Sequence, residues 1–241
     1  MATIRIFPAV TLAFSISVMC TAQINSAKIT FERKTNLYKK FKNEDNIQRW
    51  VKEEDKIKID YFELFITDSC SAFKPKESEL REVNGWATSK NSVFQDFKTG
   101  TRYMIKQVWG EELHLTDSLV KRRWQIAEST RKIAGFTCRK AVWKANDSTR
   151  IYAWFSYDIV PSTGPESFNG LPGTILGLAT EDGGQVYFAK NVEILKPAAA
   201  DLARPKKKKI YTVPELKAML TKQYGHEKWF KSFMENQFGI W

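Results

Sequence analysis

Period-two alternation, repeated along most of this chain and interrupted by short turn signals, is the feature that most limits its fold. Ala27 to Arg33 alternates through Ile29 and Phe31, and Ile57, Ile59 and Tyr61 keep the same period ahead of the denser run Phe62 to Ile66. The pattern recurs from Thr101 to Trp109, Glu111 to Leu115, Arg123 to Ser129, Phe136 to Trp143, Arg150 to Tyr157 and Gln185 to Leu195. Successive side chains of a strand point to opposite faces, so such alternation marks strands with one covered face. Lys98-Thr99-Gly100, Asn146-Asp147-Ser148 and Asp182-Gly183-Gly184 supply turns between them. Parallel neighbours need long crossovers, and these connections are short, so the strands should pair antiparallel. The expected fold is mainly β: a single antiparallel, strongly curved sheet, open barrel or sandwich. Lys, Arg and Glu on the outward positions argue against a transmembrane barrel, which needs an apolar outer band.

Two segments read as helical. Asn36 to Glu54 sets Leu37, Phe41, Ile47, Trp50 and Val51 among lysines and acids, an imperfect apolar stripe that predicts an N-terminal helical insertion. Near the end, Thr212 and Glu215 have capping-box spacing, Pro214 suits a first turn, and Leu216, Met219, Leu220 and Tyr224 follow at helical intervals. Gly225 should kink or end that helix before Trp229, Phe230 and Phe233. The apolar tail from Phe238 to Trp241 should pack back on the domain. The expected organisation is a cleaved signal over 1–22, a β domain over 23–196, a basic linker over 197–209 and a C-terminal amphipathic helix and tail over 210–241.

Arg5, the apolar run Ile6 to Met19 and the small residues Thr21-Ala22 form the three-part pattern of a secretory signal. The run is too short to span a bilayer, which takes about 20 apolar residues. A retained N-terminal anchor and a lipid-modified Cys20 are the rival readings. Cleavage leaves Cys70 and Cys138. In an exported chain an even pair reads either as a disulfide or as two buried small residues that never meet. The formal charge of +11 then points to the phosphates of an anionic lipid surface or to acidic saccharides rather than to nucleic acid, while the glycine-lined corner beside Phe168 and Trp154 offers a docking edge for an outer-membrane protein partner. Pro205-Lys206-Lys207-Lys208-Lys209 concentrates that charge in a connector.

Residues 164–178 hold four glycines and two prolines around an apolar run. Pro172-Gly173 fits the two central positions of a type II turn, where proline presets φ and glycine accepts φ > 0. The run Gly170-Leu171-Pro172-Gly173-Thr174-Ile175, preceded by Gly164-Pro165 and Phe168, resembles the signature of the GLPGLI family, exported proteins of Gram-negative envelopes. Trp124-Gln125-Ile126, the stretch Ile133 to Ala141 with Cys138, and Ala153-Trp154-Phe155-Ser156 before Ile159-Val160-Pro161 agree with it. The resemblance spans about residues 27–195. It implies export and a β-rich fold, and no particular activity or cofactor. Thr174 stands where the hexapeptide has its second leucine, so its hydroxyl needs a partner if buried.

Chemistry is thinly marked. The chain has only His114 and His226, lacks a Gly-x-Ser-x-Gly elbow and lacks a Cys-x-x-Cys pair. His114 should be exposed or paired on its strand, and His226 should serve a helix end. These signals favour a non-catalytic exported accessory or binding protein, without metal or cofactor, holding an apolar ligand or a partner chain. A pocket mouth is expected where Trp154, Gly164, Pro165, Phe168, Gly170, Leu171, Pro172 and Gly173 converge. The alternatives are a secreted hydrolase-like enzyme using His114 or a carboxylate pair, and a purely structural envelope module.

Overall fold

The computed structural model describes residues 23–42, 44–76, 84–207 and 209–240. The expected export signal, Cys20, Lys208 and Trp241 lie outside them. Element order is β1 (Ala27–Asn36), the single helical turns α1 (Leu37–Lys40) and α2 (Asp45–Gln48), β2 (Ile57–Ile66), β3 (Cys70–Pro75), β4 (Ser92–Asp96), β5 (Thr101–Val108), β6 (Glu111–Ser118), β7 (Gln125–Ile133), β8 (Phe136–Lys144), β9 (Arg150–Ser156), β10 (Thr174–Thr180), β11 (Gln185–Glu193), α3 (Ala199–Leu202), β12 (Tyr211–Thr212), α4 (Val213–Tyr224) and α5 (Phe230–Phe238). One open sheet of 12 strands runs β12-β6-β5-β4-β3-β2-β1-β11-β10-β9-β8-β7. Every pairing is antiparallel except the two-residue contact of β12 with β6.

The sheet buries one face because the alternating residues choose it. On β1, Ala27, Ile29 and Phe31 point inward, and on β2 their cross-strand partners Ile66, Leu64 and Phe62 do the same. Phe62 stacks on Phe73 at 4.8 Å, and Phe31 and Tyr187 meet that pair edge-on or tilted at 6.0 to 6.4 Å. Helices α4 and α5 close this face at one end, with Leu216, Leu220 and Phe230 joining the same core as Met104 and Leu115. Helix α4 starts as its sequence predicts: Glu215 N donates to Thr212 Oγ1, Thr212 N donates to Glu215 Oε2, and Gly225 is the C-cap. Phe238 and Ile240 pack against the core as the tail should.

The expected N-terminal helix is instead the two isolated turns α1 and α2 with a 3₁₀ turn over Glu53–Asp55. Asn36, its expected first residue, is still paired to Ile57 in the sheet while its side chain accepts from Lys39 N. Four-residue turns are far below the roughly 12 to 15 residues a helix needs to stand by itself, so tertiary contacts of Leu37, Phe41 and Val51 hold this insert.

Among the described residues Cys70 and Cys138 are both free thiols, not the bridge that was one reading of the sequence. Cys70 opens β3 and Cys138 lies in β8, strands six places apart in the sheet. Burial pushes the Cys138 thiol up to about 12, so it sits as a neutral apolar residue among the core side chains. Alkylation of native protein should modify half-buried Cys70 and spare Cys138 until denaturant is added. Mass spectrometry showing neither labelled after denaturation would restore the bridge.

Candidate functional site

The inward register of β1 and β2 changes chemistry halfway along. After Phe31 the next inward residues are Arg33 and Thr35, and opposite them stand Asp60 and Lys58. All four are buried. Asp60 accepts from Arg33 Nη2 at 2.6 Å, Arg33 Nε at 3.1 Å and Thr88 Oγ1 at 3.0 Å, and pairs with Lys58. Burial alone would raise the Asp60 carboxyl, but the Arg33 charge and the bonds from Lys58 and Arg33 outweigh it and hold it well below the usual carboxylate range. On the other flank of β1, Tyr187 lies opposite Arg33 and donates to Glu166 Oε1 at 2.7 Å, while Arg33 Nη1 sits 3.9 Å from the same oxygen. Burial and the Glu166 charge drive the Tyr187 hydroxyl well above its ordinary pKa, so it stays a donor.

Glu166 arrives on the glycine- and proline-rich loop between β9 and β10. This loop lies over the inner face, buried from Thr163 to Asn169. It is tied in by Arg102 Nη1 to Ser167 Oγ (2.8 Å), Arg122 Nη1 to Ser167 O (3.0 Å) and Trp124 Nε1 to Asn169 O (2.9 Å). Phe168 lies under the Arg122 guanidinium and beside Trp143. Glu166 itself has φ +56°, a left-handed conformation that costs a non-glycine residue about 1 to 2 kcal/mol and persists only when its surroundings impose it. The expected type II turn does not form. Gly173 N donates to Leu171 O at 2.8 Å, a tighter three-residue turn around Pro172, and Thr174 N donates instead to Ile159 O. The Thr174 hydroxyl has the partner it needs in Pro161 O at 2.6 Å.

Beside the charged cluster a cleft of about 760 Å³ opens between the insert and α5. Its apolar walls are Phe41, Ile47, Trp86, Trp109, Trp229 and Phe233, and its polar ones include Lys40, Lys228 and Lys231. Trp109 and Gly110 form the two-residue hairpin between β5 and β6, both with φ > 0. That turn favours Asn-Gly; a tryptophan in its first central position is strained, yet its ring is stacked on Phe233 at 4.8 Å and meets Trp229 edge-on at 5.8 Å. At the inner end of the cleft a second hollow of about 40 Å³ is lined by Arg33, Thr35, Lys40, Asn91, Glu166 and Gln185. Lys40, Ser89, Asn236 and Gln237 border both spaces. Sequence reasoning missed this site. Charged residues at inward strand positions and a Trp-Gly pair between two alternating runs were the signals.

The residues singled out from the sequence divide. Gly164, Pro165, Phe168, Leu171 and Gly173 are buried within the loop, and Gly170 and Pro172 are exposed at its tip. Gly164 has no room for a side chain, since a Cβ would fall 2.6 Å from Ile175 Cβ. Trp154 is on the opposite face of β9 from Phe155 and packs against Phe188 and Arg131. His114 is buried and paired, its Nδ1 2.7 Å from Tyr103 Oη; burial, then Lys207, push it below its usual value. His226 is exposed, 3.2 Å from Glu227. Among the described residues no group of three His, Cys, Asp or Glu side chains is arranged to hold a metal. Among them, too, no helix is long and apolar enough to cross a membrane.

Comparison with known proteins places the loop but assigns no activity. The model of a family described as "Protein of unknown function (Porph_ging)" matches residues 143–177, from Trp143 in β8 to Gly177 in β10. That is the segment carrying the GLPGLI-like hexapeptide. No curated protein matches the chain. Among solved structures, PNGF-II in the C2 and P21 space groups is similar over 82% of this chain, with 16% identity and TM-scores of 0.55 and 0.57. The chain spans only 33% of those chains, so it is about a third of their length, and at this identity the likeness is one of fold.

Proposed function

We propose that this chain is an exported, non-catalytic binding protein whose site is the aromatic cleft between the insert and α5, holding the apolar body of a ligand. The observation that carries the reading is Trp109. The hairpin would be cheaper with asparagine in that position, and the tryptophan keeps a half-exposed indole in the wall of the cleft beside Trp86 and Trp229, which are 60% and 44% exposed. Three such rings around a concave space of this size suit a small apolar ligand, for which sites of about 300 to 1,000 Å³ are usual. Export follows from the signal-like N-terminus, and the basic run at 205–209 would keep the protein near an anionic envelope surface.

The test uses N-phenyl-1-naphthylamine, a neutral apolar fluorophore. Its emission should rise and saturate at one site per chain. Trp109→Asn suits the hairpin, so it should keep the urea midpoint of the parent while weakening the dye at least 10-fold. Trp50→Ala, at an exposed position outside the cleft, should bind as the parent does. Equal binding by the parent and Trp109→Asn would remove the cleft from the account.

A further inference from the structure

We propose that the small hollow at the inner end of the cleft is a receptor for an oxyanion, the carboxylate or phosphate headgroup of an amphiphile whose tail occupies the tryptophan cleft. This rests on the binding role proposed for the cleft and adds the chemical class of the ligand.

Three observations support it. The first is charge. Around the hollow, the five basic groups Arg33, Lys40, Lys58, Lys90 and Lys106 outnumber the three carboxylates that act on them, Asp60, Glu166 and Glu44. Asp60 is already engaged by Arg33, Lys58 and Thr88, and Glu166, which lines the hollow, accepts from Tyr187. A net positive charge remains around the hollow, with Arg33 and Lys40 in its lining.

The second is unmet hydrogen bonding. Thr35 Oγ1 and Asn91 Oδ1 line the hollow, belong to residues 2% and 7% exposed, and have no hydrogen-bond partner. A buried polar atom left so costs roughly 1 to 3 kcal/mol. The threonine hydroxyl can donate to an anion directly, and a half-turn of the Asn91 amide presents its NH₂ in the same place.

The third is Lys40. Its half-buried ammonium stands at the junction of the two spaces, touching the Phe41 ring at 5.5 Å and making no hydrogen bond among the described residues. Burial, then repulsion from Arg33, lower it to about 8, against the pull of Asp60 and Glu44. An incoming anion would reverse that penalty. The hollow admits the head of a ligand and not its body, since a water needs about 10 to 15 Å³ and the whole space is about 40 Å³. The tail must then leave through the tryptophans.

Calorimetric titration of the full chain below the micelle threshold tests this with dodecyl phosphate, the neutral octaethylene glycol monododecyl ether, and inorganic phosphate. Dodecyl phosphate should bind at least 10-fold more tightly than the ether and inorganic phosphate. Thr35→Val, which lines the hollow and not the cleft, should lose most of that preference while leaving ether affinity unchanged, and Lys40→Gln should lose most of it as well. Equal affinity for the two dodecyl compounds would overturn the oxyanion site and leave the apolar cleft standing. Binding of inorganic phosphate as tight as dodecyl phosphate would make the hollow a free-anion site and also overturn the proposal. Binding of neither dodecyl compound would overturn both readings.

Discussion

Gly173→Val should abolish cooperative folding. Gly173 has φ +145°, and a Cβ there would lie 2.0 Å from Ser156 O and 2.8 Å from Ser156 C. Those are backbone atoms of β9, so no rotamer change relieves the overlap. The next residue, Thr174, pairs with Ser156 and begins the β10 ladder, so displacing position 173 also removes the first rungs of a central strand. Backbone strain by itself costs about 1 to 2 kcal/mol; with the overlap the loss should exceed about 3 kcal/mol, a large part of the 5 to 15 kcal/mol that separates a folded domain from its unfolded chain. Gly100→Ala is the matched control. Gly100 also has positive φ, but nothing lies within 4 Å of its Cβ position, so only the strain should appear. Urea unfolding followed by circular dichroism reads both; a Gly173→Val protein with the parent's midpoint would show that the loop does not brace the sheet.

Asp60→Asn should cost about 3 to 5 kcal/mol, because it removes the buried carboxylate with which both Arg33 and Lys58 pair. Arg33 and Lys58 side chains are each 4% exposed, so solvent cannot take over the role. The same pair sets a pH dependence. The Asp60 carboxyl titrates lower in the folded protein than its ordinary 3.8, so the unfolded chain takes up a proton first. Its stabilisation is complete above about 4 and is lost as pH falls further toward the folded value. Acid unfolding of the parent should steepen below pH 4, and Asp60→Asn should flatten that limb while lowering stability at pH 7. The double variant Arg33→Met/Asp60→Leu should recover part of the loss, since it removes the Arg33 charge together with the carboxylate it pairs with, and only part, since Lys58 stays buried beside the site. A single Asp60→Asn variant as stable as the parent at pH 7 would contradict the pairing.

Where strands carried water on one side, the sequence showed them plainly. β2 and β11 alternate cleanly, and the predicted and observed spans nearly coincide. β3 and β4 went unseen for a physical reason. Ser71 and Phe73 face inward, while Ala72 and Phe94 are buried on the other side beneath Tyr103 and the connector residue Leu202. With both faces covered, the two-residue period that marks a half-buried strand disappears. The capping box of α4 was legible because it is written within four residues. The cleft was not, because its walls come from residues near 41, 86, 109 and 229, and no local pattern brings them together. The cluster of Arg33, Asp60 and Lys58 was half visible: the alternation of β1 carries Arg33 onto the covered face, but in β2 the apolar set Ile57, Ile59 and Tyr61 is the exposed one, so its alternation pointed Lys58 and Asp60 to the wrong side. The loop over 164–173 was found by its composition, yet it is packed shut over the sheet, with its glycines serving close approach.

The central claim is that ligand enters at the cleft of Trp86, Trp109 and Trp229. The direct measurement is fluorine NMR of protein labelled with 5-fluorotryptophan, titrated with dodecyl phosphate and assigned by single Trp→Phe variants. The resonances of Trp86, Trp109 and Trp229 should shift together, with those of Trp124, Trp143 and Trp154 unmoved. Shifts confined to Trp124, Trp143 or Trp154, with the three cleft tryptophans silent, would contradict the account.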